Sequence, residues 1–253
     1  MQSNRVRHLL VAMIAVLAIG AIAADAALAA PEVNECTKVA AGTGEFEKST
    51  CEGVAGTKEF KWAPITENVA YEANLHPAVV SHLESEIGGV TVSIVCEAAK
   101  SIGAKNNLKV GGASEGEMEF SACKTFQIVK HDGSEVPGCK VEPIKLKTAD
   151  QTVRNATNNG VEDEFKPSPA TTKVFGEIEI KTCVLEGKYK VETEGAAGST
   201  GQTCGILVPS FAEKEHEMIC TGPGSKLLFA TKKARFWTDL LIKLVNGGRW
   251  FVE

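Results

Sequence analysis

Three short patterns put reactive side chains at spacings that chemistry uses. Gly112-Ala113-Ser114-Glu115-Gly116 fits G-x-S-x-G, the elbow whose glycines permit a strained strand-to-helix turn that exposes a nucleophilic serine. That elbow needs a helix after the serine. Glu117-Met118-Glu119-Phe120 alternates like a strand instead, so these residues read as a glycine-rich hairpin turn. Ser121-Ala122-Cys123-Lys124 fits S-x-x-K, in which a lysine one helical turn away deprotonates the serine, but on a strand the two side chains face opposite ways. His216-Glu217-Met218-Ile219-Cys220 follows the zinc-protease pattern with a cysteine where the second histidine belongs. In an oxidising compartment Cys220 belongs in a disulfide, and His216, inside the charged run 213–217, belongs on a solvated surface. His76, His82 and His131 have no partners at ligand spacing, and Asn155-Ala156-Thr157 is an N-glycosylation sequon. Glutamates scattered through the strands can imitate a glycosidase acid and base. No catalytic, cofactor-binding or metal-ligating residue is assigned.

The eight cysteines bound the compartment better than they bound the activity. All follow residues 1–29, which read as a secretory signal peptide: Arg5, Arg7 and His8 are basic, Leu9 to Ala23 are apolar, and Ala27-Leu28-Ala29 offers a small-residue cleavage site. The alternative is an uncleaved anchor, although the apolar stretch is short for one. An even cysteine count in an exported chain favours bridges, and without a C-x-x-C pair neither thioredoxin-like exchange nor most structural zinc sites have their signature. Short closures pair Cys36 with Cys51, Cys123 with Cys139 and Cys204 with Cys220, which leaves Cys96 with Cys183. A competing scheme joins Cys183 to Cys204 across a hairpin centred near Gly195. The net charge of -5, with both signs interspersed, argues against nucleic acid, and an aromatic content of 6% weakens the case for a carbohydrate platform built from several exposed rings.

The elements that would position these residues are mostly strands. Residues 30–64 form a small disulfide-closed unit in which Gly44-Glu45-Phe46-Glu47 and Glu59-Phe60-Lys61-Trp62 alternate as a bridged hairpin. Residues 65–148 are a β-rich middle region, with period two in Val90, Val92 and Ile94. Val79, Val80, Leu83 and Ile87 keep helical spacing, but Pro77 permits only a helix start. Residues 149–172 lose periodicity and collect Asn, Gly and Pro, as a loop or linker would. Residues 173–253 return to strands: 174–180 and 188–192 joined by a turn, then 236–245 and 249–252 as a hairpin about Asn246-Gly247.

Cys36-Thr37-Lys38-Val39, Gly88-Gly89-Val90-Thr91-Val92 with Cys96, Phe120-Ser121-Ala122-Cys123 and Cys183-Val184-Leu185-Glu186-Gly187 resemble a group of uncharacterised secreted actinobacterial proteins. The resemblance implies a secreted, β-rich, disulfide-bearing chain, with strand in place of helix over 69–87, and supplies no site residue. The reading is therefore an all-β, antiparallel, sandwich-like exported protein without stable membrane insertion, acting as a non-enzymatic module for a protein or glycan partner. The alternative is a secreted hydrolase using Ser114 or a glutamate pair. Amino-terminal sequencing of the exported protein is expected to begin at Ala30. Recovery of an intact Met1 form from the membrane would contradict export with cleavage.

Overall fold

The computed structural model describes residues 31–103, 106–129, 132–154, 160–207 and 214–252, and within them there is no helix. The leader, His131 and the sequon lie outside the described residues. The strands in chain order are β1 (Val33–Lys38), β2 (Phe60–Pro64), β3 (Val69–Leu75), β4 (Ser81–Ile87), β5 (Val90–Ser101) and β6 (Asn107–Leu108). They continue as β7 (Ala113–Val129), β8 (Asp132–Glu135), β9 (Lys140–Val141), β10 (Ile144–Arg154), β11 (Val161–Pro167) and β12 (Val174–Lys181). The last six are β13 (Gly187–Thr193), β14 (Gln202–Leu207), β15 (Glu215–Ser225), β16 (Leu227–Phe229), β17 (Lys232–Leu244) and β18 (Trp250–Val252). The helical spacing over 69–87 is overridden: Ala73, Leu83 and Ile87 point inward from β3 and β4, and β4 turns into β5 through Gly88 and Gly89, both at positive φ.

The expected sandwich is corrected to a closed antiparallel barrel. Alternation looks the same in either architecture, and what distinguishes them is pairing far apart in sequence. β17 pairs with β16 through Lys232–Ala234 and with β15 through Thr238–Lys243, while β4 and β3 pair with Arg235–Trp237 and Leu240–Leu244. β10 pairs with β7 on one edge and with β12 and then β11 on the other. Between β10 and β17, the trios β11-β14-β15 and β12-β13-β16 lie end to end, and β7, β5 and β4 with β3 close the other side. The stretch read as a linker is therefore mostly wall, since β10 and β11 pair antiparallel from Thr148↔Pro167 to Arg154↔Val161.

Inward-facing parity changes within two long strands. On β7, Phe120 is buried and so is Thr125, with Ala122 at φ 53 between them; on β5, Cys96 and Ala99 are buried with Glu97 and Ala98 exposed. Both slips sit at the same level, and they bend the wall as bulges do. The outer face carries cross-strand pairs such as Lys188 with Glu177 and Glu179 and Lys145 with Glu119, each worth little in solvent but unwelcoming to a foreign strand.

One end of the barrel is closed by a three-stranded sheet, β18-β1-β2, whose Val33, Trp250 and Val252 join the same hydrophobic cluster as the barrel interior, together with nearby Ile65. Residues 30–64 are thus tied to the carboxyl end: β1 pairs with β18, and Arg249 Nη1 donates to Glu52 Oε1 at 2.7 Å. The carboxyl-terminal hairpin is also corrected. The chain turns at Gly247, but β18 leaves β17 to pair with β1 because Trp250 is buried against the barrel end.

All eight cysteines are bridged. Cys36–Cys51 and Cys204–Cys220 are as expected, whereas Cys96 joins Cys123 and Cys139 joins Cys183. Cys96 and Cys123 stand directly opposite across β5 and β7, and the pairing Lys140↔Lys181 brings Cys139 beside Cys183. Non-reducing peptide mapping is expected to recover these pairs, and a Cys123–Cys139 peptide would contradict the register. Replacing both Cys204 and Cys220 by Ala is expected to cost about 3 kcal/mol in denaturant unfolding, the amount set by closing a loop of this length.

Candidate functional site

At the end of the barrel nearest the three-stranded sheet, the inward row of β10 turns polar. Ile144 and Leu146 are followed at the same parity by Thr148, Asp150 and Thr152, the last three all buried. Ser114 on β7 stands directly opposite Asp150 and donates its hydroxyl to Asp150 Oδ2 at 2.7 Å. Asp163 on β11 stands opposite Thr152, which donates to Asp163 Oδ1 at 2.8 Å. Tyr71 enters from β3, and Gly116 makes room for it: a Cβ there would sit 2.7 Å from the Tyr71 hydroxyl and 3.0 Å from Asn106 Oδ1. These groups border an internal cavity of about 40 Å³ that Trp250 also lines.

No basic side chain offsets the carboxyl groups among the described residues that line this cavity. Burial, with Asp163 close by, pushes the Asp150 carboxyl up to about 8 against the opposing hydrogen bond from Ser114. Burial likewise raises Asp163 to about 6, opposed by Thr152. Tyr71 is held well above the usual phenol range by burial first and by the Asp150 charge second.

The other candidates are dispersed. Ser121 faces Ala98 at the bend, while Lys124 lies on the exposed face, 3.9 Å from Glu135. His216, expected on the surface, is fully buried: it faces inward from β15, its Nε2–H donates to Trp250 O at 2.6 Å and its ring stacks edge-on against Trp250. Cys220, two turns of the pleat along, is bonded to Cys204. His82 packs edge-on against Trp237, with its imidazole pKa lowered by burial, and His76 Nδ1–H donates to Pro77 O at 3.0 Å. A carboxyl pair that sequence reasoning missed lies on the outer face, where Asp239 is raised to about 6 by desolvation and by sharing a hydrogen bond with Glu217. Its signal was one acid in the otherwise apolar run of β17.

Larger concavities lie outside. One, of about 520 Å³, is bordered by Tyr71, Asn74, Lys100, Ser101 and Asn106, with Asn74 and Lys100 paired across β3 and β5. Tyr71 therefore separates this groove from the internal cavity. Another, of about 480 Å³, is bordered by Lys166, Lys226 and the turn 194–200 and has no aromatic side chain. No family model matches this chain, and neither a curated protein nor a solved structure matches it.

The raised Asp150 and Asp163 values set the sign of a pH effect. Below pH 3.8 both folded and unfolded chains hold these protons and the contribution is full. Between 3.8 and about 8 the unfolded chain releases the Asp150 proton while the native chain keeps it, so stability falls as pH rises. Denaturant unfolding in a chelating buffer is expected to show this decline, with a limiting slope of about 1.4 kcal/mol per pH unit for one group. Asp150→Asn is expected to flatten it and to gain most at pH 8. Stability that climbs steadily from pH 5 to 8 would contradict the buried acid assignment.

Proposed function

We propose that this chain is an exported, non-enzymatic β-barrel that binds a glycan of the cell envelope or its surroundings in the groove over Tyr71. The observation that carries the reading is the groove itself. Its volume of about 520 Å³ falls within the range of ligand sites, and it combines one aromatic side chain with the amide of Asn74, the ammonium of Lys100 and backbone at Gly103. A polyhydroxyl ligand suits such a mixture of donors and acceptors. Four disulfides and the signal-like leader support export. Charged pairs on the outer strands, where a membrane barrel would carry an apolar band, support a water-facing wall.

The hydrolase alternative has less geometry behind it. Ser114 does meet a carboxyl, but that serine is 8% exposed, its cavity holds about 40 Å³, and among the described lining residues no histidine is present to relay a proton. The outer glutamates Glu119 and Glu179 are matched to lysines on adjacent strands.

Co-sedimentation of the oxidised mature protein with purified envelope polysaccharide and with peptidoglycan tests the reading. Saturable retention is expected, weakened about tenfold or more by Asn74→Ala with Lys100→Ala and unchanged by Ser114→Ala. No retention on either material would overturn it, and turnover of a glycan that Ser114→Ala abolishes would replace it with the hydrolase.

A further inference from the structure

The internal cavity contains an acceptor that the fold leaves unsatisfied. Asp150 is 6% exposed, and its Oδ2 is occupied by Ser114, but its Oδ1 has no hydrogen-bond partner. The adjacent Thr148 hydroxyl donates to Gly116 O at 3.5 Å and lies close enough to the Asp150 carboxyl to favour its charged form, without closing a hydrogen bond on Oδ1. A buried carboxyl oxygen without a partner costs free energy, and its ionised form is held back until something else approaches it. Asp163 borders the same cavity from the neighbouring strand, diagonal to Asp150, and its Oδ1 is met only by a neutral hydroxyl. The oxygens converging here are two carboxyl groups and the hydroxyls of Ser114, Thr148, Thr152 and Tyr71, and the one side-chain nitrogen among the described lining residues is the indole Nε1–H of Trp250, which also lacks a hydrogen-bond partner.

Such a set selects among ligands. An anion is repelled, and a soft metal finds neither thiolate nor imidazole at the cavity wall. A hard divalent cation is neutralised by two carboxylates and accepts hydroxyl oxygens as further ligands. The irregular placement of donors on β7, β10 and β11 suits the flexible coordination of calcium better than the strict octahedron of magnesium. A cavity of about 40 Å³ has room for an ion with one or two waters, given roughly 10–15 Å³ for each water-sized occupant.

We propose that this cavity is a calcium-class cation site, with Asp150 Oδ1 and the Asp163 carboxylate as its charged ligands. Ser114, Thr152 and Thr148 hold the carboxylates or complete the shell. The ion brings the barrel wall and the Trp250 end together, so it binds the folded chain and not the unfolded one, and it raises the unfolding temperature with the logarithm of its free concentration above Kd.

The oxidised full mature chain, dialysed against a chelator, is titrated with calcium chloride by calorimetry and with terbium chloride under tryptophan excitation. Trp250 lines the cavity and serves as the sensitiser. One saturable equivalent is expected, with terbium emission displaced by calcium and lost in Trp250→Phe. Asp150→Asn and Asp163→Asn are each expected to weaken binding about tenfold or more, in keeping with the dependence of calcium affinity on ligand charge. Glu217→Gln, which removes a partner of the outer carboxyl pair, is expected to leave binding unchanged. Should Asp150→Asn not fold, the wild-type titration still decides. Absence of a saturable equivalent, binding that survives Asp150→Asn, or binding lost in Glu217→Gln overturns the assignment.

Discussion

Because β17 pairs with β16 and β4 near its start and with β15 and β3 near its end, its inward residues Leu240, Ile242 and Leu244 face a space from which the sheet edges have been removed. Closure is what makes the interior dry. An open sheet of the same strands would leave one face of Asp150 within reach of solvent, and its carboxyl would behave as an ordinary one. The disulfides reinforce this closure locally: Cys96–Cys123 and Cys204–Cys220 each fasten neighbours already paired in register, on opposite sides of the barrel. Their half-cystines Cys96 and Cys220 also line the apolar cavity of about 80 Å³ inside.

The interior is divided by chemistry along its length. Toward one end it is filled by Ile94, Phe120, Ile178 and Phe229, where removal of apolar area from water dominates. Toward the other, Thr148, Asp150, Thr152 and Ser114 occupy positions that an apolar series would fill at no electrostatic cost. Single hydroxyl hydrogen bonds contribute about 1.5–3 kcal/mol when a charged group is involved, and the effective penalty for burying an unpaired carboxylate is several kcal/mol. Hydroxyls alone therefore do not offset two carboxylates, which leaves protonation or a cation to complete the balance. At Asp239 and Glu217 on the outer face the same acid chemistry is less deeply buried and is opposed by a nearby His76, so Asp239 is raised only to about 6.

How far the sequence could be read follows from the range of each signal. Period-two runs such as Val90-Val92-Ile94 and the closure of Cys36 on Cys51 are local, and they appear as expected. Closure of the barrel rests on β7 with β10 and β17 with β3, pairings that alternation does not encode. The Cys96–Cys123 bridge was hidden for the same reason, since the parity slip at Ala122 moves Cys123 inward only once β5 lies opposite. Asp150 was missed for a different reason. Ile144, Leu146, Thr148, Asp150 and Thr152 keep an unbroken period of two, but the polar half of that row looks like loop composition when alternation is judged by hydrophobicity alone. His216 was misplaced because its charged neighbours face outward on the same strand, and a strand assigns adjacent residues to opposite environments.

Tyr71 joins the two regions that the barrel otherwise separates. Its ring borders the outer groove with Asn74 and Lys100, and its hydroxyl reaches past Gly116 toward Ser114 and Asp150. A side chain larger than hydrogen at residue 116 would push that hydroxyl out, so the contact depends on the second glycine of a motif first read as a nucleophile elbow. The motif thus has a structural meaning opposite to the catalytic one: its serine is held inward by a carboxyl, and its glycine admits a phenol from β3, two strands away on the same wall. A ligand against the Tyr71 ring and a cation beside Asp150 would touch opposite ends of one rigid side chain. Thermodynamic linkage then requires that each change the other's affinity by the same factor, whatever its sign.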